Sequence, residues 1–308
     1  MTRTLTVGIT TRNRPESLRT CLASIAVIRD LDPEVLVFDD ASTSPAVDQV
    51  AACPLPVRVM RDESAPGPVV GRNRLVEAAE GEFTLLLDDD TRILSIESIQ
   101  AALQVLRADP RVAAVAFAQA EADGRPWPER MQPSTARVPS IVAAFTGFAH
   151  MVRRSAFLAV SGYREALGFY GEEKELCLRL VDAGHQTVYL PDARVAHVPD
   201  PANRDRRQYL RLVARNDCLN TLYNDPLTRL VWMLPARVVL YFRMRRNWQI
   251  ADPWGGWWLV RDLARRMPAI WRDRRPVSRA TLARWRAIQH GQTVYEPPPL
   301  QAGSAPGR

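Results

Sequence analysis

Short apolar runs alternate with helically spaced stretches over the first part of the chain. LTVGIT (5–10) reads as a buried strand. Pro15 and Glu16 then open a helix in which Leu18, Leu22, Ile25 and Ala26 recur on one face. EVLVFDD (34–40) and VRVM (57–60) read as further strands, and Gly71 to Ala79 as a helix. FTLLLDD, a helix from Ser98 to Ala108, and the strand VAAVAFAQ (112–119) follow. Strands that alternate with helices need crossover connections, which predicts an α/β protein with a mostly parallel sheet flanked by helices. Ligands in such sheets sit at the carboxyl ends of the strands.

The pattern then loosens. Residues 120–140 are rich in proline and irregular, long enough for a functional loop. GFYGEE (168–173) precedes a helix, ELCLRLVDAG, that ends at Gly184. QTVYL and ARVAHV read as two short strands on either side of Pro191 and Asp192. From about Arg204 the chain turns helical and basic, and its last stretch, YEPPPLQAGSAPGR, reads as disordered. Three parts are therefore expected: 1–203, a basic helical extension over 204–292, and a disordered tail over 293–308.

Charge sharpens that division. The net charge is +7, yet 19 Arg and six Asp fall between Arg204 and Arg286, an excess of 13 that leaves the remainder net acidic. Seven of the eight Trp lie beyond residue 230. A basic, Trp-rich extension on an acidic body points to an anionic partner. Either it meets a membrane surface, with Trp254, Trp257 and Trp258 at the headgroups, or it packs Trp into its own core behind a solvated Arg face. Cys21, Cys53, Cys177 and Cys218 form no CxxC pair, which argues against zinc and gives no disulfide framework. A cytoplasmic setting is expected. VWMLPARVVLYF, with Pro235 and Arg237, is too short and too polar to span a bilayer.

The candidate chemistry lies where strands end. Asp88, Asp89 and Asp90 close an apolar strand, and like charges this close resist joint ionisation. Residues i and i+2 of a strand face the same side, so Asp88 and Asp90 could share a hard divalent cation. A solvated strand end has the same pattern. Asp39-Asp40 repeats it, and fits either a contact to a nucleotide or a capped turn. Glu172-Glu173 opens a helix, either as a general base or as acids favoured by the helix dipole. Arg12, Arg14, Arg72 and Arg74 sit near strand ends or a helix start, where arginine can meet phosphate. Neither GxGxxG nor a P-loop is present.

TVGITTRNRPESLRTCLASI, VLVFDDAST, GPVVGRNRLVEAAEGEFTLLLDDD and GEEKELCLRLVDAGHQTVYLPDARVAH, in this order, resemble the family 2 glycosyltransferases over about residues 4 to 200. The resemblance implies a GT-A fold, a Rossmann-like architecture. It places Thr10, Arg12 and Arg72 near the nucleotide, Asp39 at the base and Asp88 at the ribose. It makes Asp90 the metal-binding acid and puts His197 near the metal and diphosphate. Glu173 takes the place of the family's catalytic base, where an aspartate is usual, and Glu172 is the alternative.

The implied activity is inverting transfer of a sugar from a nucleotide-diphosphate sugar to an acceptor hydroxyl, with Mn²⁺ or Mg²⁺. The expected setting is synthesis of bacterial polysaccharide or another glycoconjugate, with a rhamnosyltransferase-like flavour. The acceptor would be a glycan or a lipid-linked molecule. An anionic membrane could meet residues 204–286, giving peripheral attachment at the inner face. The alternatives are a nucleotide or nucleic-acid binding protein that uses the basic extension, or a nucleotidyltransferase of similar architecture. Acids at the expected crevice disfavour nucleic acid. The second enzyme would usually show a Gly-rich, Lys-containing signature, and this chain has a single Lys, Lys174.

Overall fold

A computed structural model describes residues 3–199, 205–291 and 293–298. LTVGITT forms β1 (Leu5–Thr11), buried throughout. It pairs in parallel with β2 (Glu34–Asp39) and β4 (Phe83–Asp88), and β2 pairs in parallel with β3 (Val57–Arg61). Such strands read as continuous apolar runs because both faces are covered. Leu5, Val7, Ile9, Leu85 and Leu87 pack on Leu18 and Leu22 of α1 (Pro15–Ser24) and on Ile99 and Leu103 of α3 (Ile96–Ala108). Leu36, Phe38 and Leu86 face the other way, onto Val69, Leu75 and Val76 of α2 (Pro68–Ala78). That helix opens before the expected Gly71 because Pro68 is pre-set for a first turn and gives up no needed N–H there.

Beyond β4 the sheet becomes mixed. The remaining strands are β5 (Thr91–Ile93), β6 (Val112–Ala120), β7 (Ser140–Val142), β8 (Ala149–Arg153), β9 (Gln186–His197) and β10 (Thr293–Val294). The order is β10-β7-β9-β6-β8-β4-β1-β2-β3, with β5 beside β9. β8 enters antiparallel between β4 and β6, and β6 pairs in parallel with β9. Two expectations are corrected here. The two short strands around Pro191 are one strand: Leu190 pairs with Phe117 and Arg194 with Ala118, so the residues between them bulge out. Proline has no N–H for the ladder, and the bulge removes the need for one. The disordered tail does not begin at 293. β10 pairs with β7, and buried Tyr295 donates its N–H to Pro139. Residues 299–308 of that expectation lie outside the described residues.

Between the strands of the second half lie α4 (Arg154–Ala159) and α5 (Glu172–Asp182). The extension is α6 (Arg206–Asn224), α7 (Leu227–Asn247), α8 (Gly255–Asp273) and α9 (Arg279–His290). It has a core of its own, with Leu210, Leu219, Tyr223, Tyr241, Leu259 and Ile270. Its tryptophans divide between packed and exposed positions. Trp248 and Trp258 pack against that core, and Trp285 of α9 packs on Leu178 and Val181 of α5. Trp258, expected at a headgroup, also lies under the Arg211 guanidinium, 5.3 Å from its ring. Trp232, Trp254, Trp257 and Trp271 stay exposed.

Buried Glu175 joins extension to body. It accepts from Arg179 at 2.6 Å, Arg164 at 2.9 Å and Asn224 of α6 at 3.1 Å. Among the described residues no helix is long and apolar enough to cross a membrane, and the four cysteines are free thiols.

Candidate active site

β1, β2 and β4 end side by side, with Thr10 opposite Asp88 and Thr11 opposite Asp39. Their carboxyl ends form a cleft of about 280 Å³ lined by Thr10, Arg12, Asp40, Gly67, Asp88 and Phe169, among others. The three adjacent aspartates are met by two arginines, Arg72 at Asp88 and Arg14 shared by Asp89 and Asp90. Asp88 accepts from Arg72 at 2.7 Å. Asp89 accepts from Thr11 at 2.7 Å and from Arg14 at 3.2 Å. Asp90 accepts from Arg14 at 3.1 Å. Relief is incomplete. Burial, against the Thr11 hydrogen bond and the Arg14 charge, pushes the Asp89 carboxyl up to about 7. Burial and then the Asp88 charge push Asp90 upward. Arg14, read as a candidate phosphate ligand, binds these acids instead, and Arg74 points to solvent.

Asp39 does not face the cleft. It is fully buried, and its oxygens accept from the Ser42 and Ala46 N–H groups, both at 2.8 Å, and from Arg61 at 2.6 Å. Burial opposes ionisation, but those hydrogen bonds outweigh it and hold the carboxyl below the usual range. The expected base contact at Asp39 is therefore corrected: the β2-end acid that lines the cleft is Asp40. Its oxygens meet Arg12 at 3.4 Å and the Gly67 N–H at 2.9 Å. The sequence shows two adjacent acids but not which one the turn consumes.

Arg72 ties the cleft to α5. It is almost fully buried, and its guanidinium donates to Asp88, to Glu172 at 3.0 Å and to the Gly147 carbonyl at 3.2 Å. Glu172 is sealed from solvent, and its second oxygen lacks a hydrogen-bond partner. Burial, then the neighbouring Glu173 charge, raise its carboxyl to about 8 against the pull of Arg72. Glu173 is only half-buried and accepts from the Gly147 N–H. Its carboxyl is also raised, chiefly by burial, with Arg72 opposing. Gly147 went unremarked in the sequence. A Cβ there would meet the Glu173 carboxylate at 2.5 Å and Arg72 at 3.1 Å, so only glycine admits both groups. Tyr170 and Gly171 enter α5 with φ of 74° and 83°, a left-handed pair that Asn216 of α6 braces through the Phe169 and Tyr170 carbonyls, both at 2.7 Å.

β9 brings His197 to Asp90 through its pairing with β5, the Nε2 atom 3.5 Å from Asp90 Oδ1. Nδ1 lies 2.9 Å from Gln119, and the ring stacks between Trp127 and Phe148. Asp90 Oδ1 is buried and accepts no hydrogen bond. An orphaned carboxylate oxygen facing an oriented imidazole nitrogen fits a divalent cation. Among the described residues no group of three or more His, Cys, Asp or Glu converges on a point. A cation held by Asp90 and His197 would therefore take its remaining ligands from water and phosphate.

A mixed sheet whose acid-tipped strands open on such a cleft is the GT-A architecture. The sequence profile of glycosyl transferase family 2 matches residues 6–160, and the chain belongs to that family. It is 30% identical over 210 residues to the pre-mycofactocin glycosyltransferase of Mycobacterium tuberculosis, covering 63% of this chain but only 43% of that protein. Solved structures share the fold at low identity. S. aureus TarS 1–349 superposes with a TM-score of 0.56 at 18% identity, over 80% of this chain and 72% of that one. The mannosyltransferase PcManGT from Pyrobaculum calidifontis, solved with GDP-Man and Mn²⁺, gives 0.55 at 17% identity, over 92% and 78%.

Proposed function

We propose that this glycosyltransferase performs an inverting transfer of a hexosyl or deoxyhexosyl group from a nucleotide-diphosphate sugar to an acceptor hydroxyl. The observation that carries this reading is the Arg72 bridge. One buried guanidinium fixes the acid at the end of β4 and the first turn of α5, so donor-side and acceptor-side groups share one rigid brace. Thr10, Arg12 and Asp88 line the cleft and would hold the nucleotide, with Asp40 in place of Asp39 toward the base. Glu173 serves as general base. It is the more open of the two glutamates, while Glu172 is locked to Arg72. Its raised affinity for a proton suits it to take one from an alcohol as that oxygen attacks the anomeric carbon.

Asp90 and His197 would hold Mn²⁺ or Mg²⁺, which supplies charge to the departing diphosphate when bound. The structures of PcManGT with GDP-Man and Mn²⁺ and of GalNAc-T7 with UDP, GalNAc and Mn²⁺ support that reading by analogy of fold. The acceptor we infer is a glycan or a lipid-linked molecule in polysaccharide or glycoconjugate synthesis, met at the inner face of a membrane.

A thermal-shift panel tests the donor half. UDP, GDP, CDP and dTDP are each added with Mn²⁺, Mg²⁺ or EDTA to the wild type and to Asp90→Ala. One nucleotide should raise the melting temperature, by mass action on the native state, only with metal and intact Asp90. A panel in which none does so would sink the reading.

A further inference from the structure

Four tryptophans enter no core. Trp232, Trp254, Trp257 and Trp271 are 76, 74, 66 and 51% exposed. On α7 the outward positions Leu227, Val231, Trp232, Val239 and Phe242 are all exposed. Their spacing places them on one stripe. The adjoining side of the helix, with Leu230, Leu234, Val238 and Tyr241, packs into the extension's core. Phe242 reaches α8, where a Cβ on Gly256 would meet its ring at 2.8 Å. Exposed Trp257 and Val260 follow Gly256, so the stripe of α7 continues onto α8 as one apolar surface.

The exposed charges on this face are arginines, and the half-buried Asp262 of α8 is paired with Arg266 at 2.8 Å. α7 contains no Asp or Glu and ends in Arg243, Arg245 and Arg246. Exposed Arg261 and Arg265 follow on α8. Asp252, in the link between the helices, is buried and held by Arg211 at 2.9 Å and Tyr241 at 3.0 Å. No carboxylate therefore offsets those arginines at the join.

We propose that the α7–α8 face docks on the surface of a bilayer that contains anionic lipid. Trp sits favourably at headgroup level, aliphatic side chains enter the acyl boundary, and Arg meets lipid phosphate. A second copy of this chain fits poorly, because a two-fold contact would set the arginines against themselves. Nucleic acid would use the arginines and leave the aliphatic stripe in water.

The surface is close to the chemistry. Arg237, Leu240, Tyr241 and Met244, on the inner side of α7, line a cavity of about 260 Å³. Its far wall holds Tyr170, Gly171 and Lys174, the residues that flank the Glu172–Glu173 pair. One helix, about 10–12 Å across, thus separates the docking face from the mouth of α5. This deepens the peripheral-attachment part of the reading above and is independent of the transfer chemistry.

Flotation of the full chain with phosphatidylcholine vesicles, with and without phosphatidylglycerol, tests the proposal. The wild type should float only with phosphatidylglycerol and should be released by salt. The triple variant Arg243→Gln, Arg246→Gln, Arg261→Gln should bind about a hundredfold more weakly, at roughly 1 kcal/mol per basic residue. Trp254→Ala with Trp257→Ala should weaken binding and shrink the blue shift of tryptophan emission on vesicles. Both variants alter exposed side chains, and their melting temperatures report whether the fold is kept.

Failure of the wild type to float on either vesicle overturns the proposal. So does equal binding with and without phosphatidylglycerol. Tight binding to RNA or DNA with no flotation overturns it in favour of nucleic acid. A dimer that the tryptophan variant dissolves, again with no flotation, overturns it in favour of a second copy. A negative nucleotide panel would leave the flotation result unchanged, so the two readings fail separately.

Discussion

Glu172 and Glu175 lie within one turn of the same helix, both sealed from solvent, yet their carboxyls move in opposite directions. The helix dipole favours negative charge at both positions and cannot separate them. Their partners do. At Glu175 burial is outweighed by Arg179 and Arg164, and the carboxyl lies below the ordinary range. At Glu172 a single guanidinium serves that carboxylate and Asp88, while Glu173 adds a second negative charge. The number of cations per carboxylate, rather than depth, decides which end of this short helix is locked and which end is ready to hold a proton. The surplus of acid lies beside Glu173, the base proposed above, and the balanced site lies where the extension is bolted on.

The comparison can be broken at either end. Glu173→Gln should lower transfer by about 10²- to 10⁴-fold while the nucleotide-induced melting shift survives; full activity in the variant would remove Glu173 as base. Glu175→Ala should act on the fold, leaving Arg164 and Arg179 half-buried without a counter-charge, at a loss of up to about 3 kcal/mol in urea unfolding. An unchanged midpoint would show that the bolt is dispensable. Arg72→Lys keeps a charge but cannot span Asp88 and Glu172 together. Turnover should fall about 10²-fold from misplacement alone, with a small change in melting temperature.

The smallest effect is the most selective. Glu172 has a folded value of about 8 against an ordinary 4.5. Ionising it therefore weakens the fold: its contribution is intact below the ordinary value and is lost as pH rises through about 8. Glu172→Gln cannot ionise, so its melting temperature relative to the wild type should climb between about pH 5 and about pH 9. A flat difference would place the excess charge elsewhere.

Much of this was legible along the chain. β1, β2, β4 and α1 fall within a residue or so of the apolar pattern because each lies in a local repeat. The acids at the strand ends were legible for the same reason. What escaped was assigned by distant partners. Arg72 meets Glu172 one hundred positions away, and Arg61 claims Asp39 from the neighbouring strand. Gly147 has no local signature, since its lack of a side chain matters only once α5 and Arg72 have closed on it. β9 escaped because Pro191 breaks a strand on paper, and only the bulge against β6 shows how the ladder survives.

Asn216 carries a consequence for heredity. It stands on α6, outside the stretch that defines the family, yet its amide holds the carbonyls of the loop that leads into Glu172 and Glu173. Asn224 of the same helix completes the Glu175 site. Recombination that exchanged extensions between relatives at the start of α6 would therefore part the glutamates from their scaffold. The segment that must be inherited whole includes α6 with α5, and the later helices are tied in turn, α7 and α8 through the core they share with α6 and α9 through Trp285 on α5.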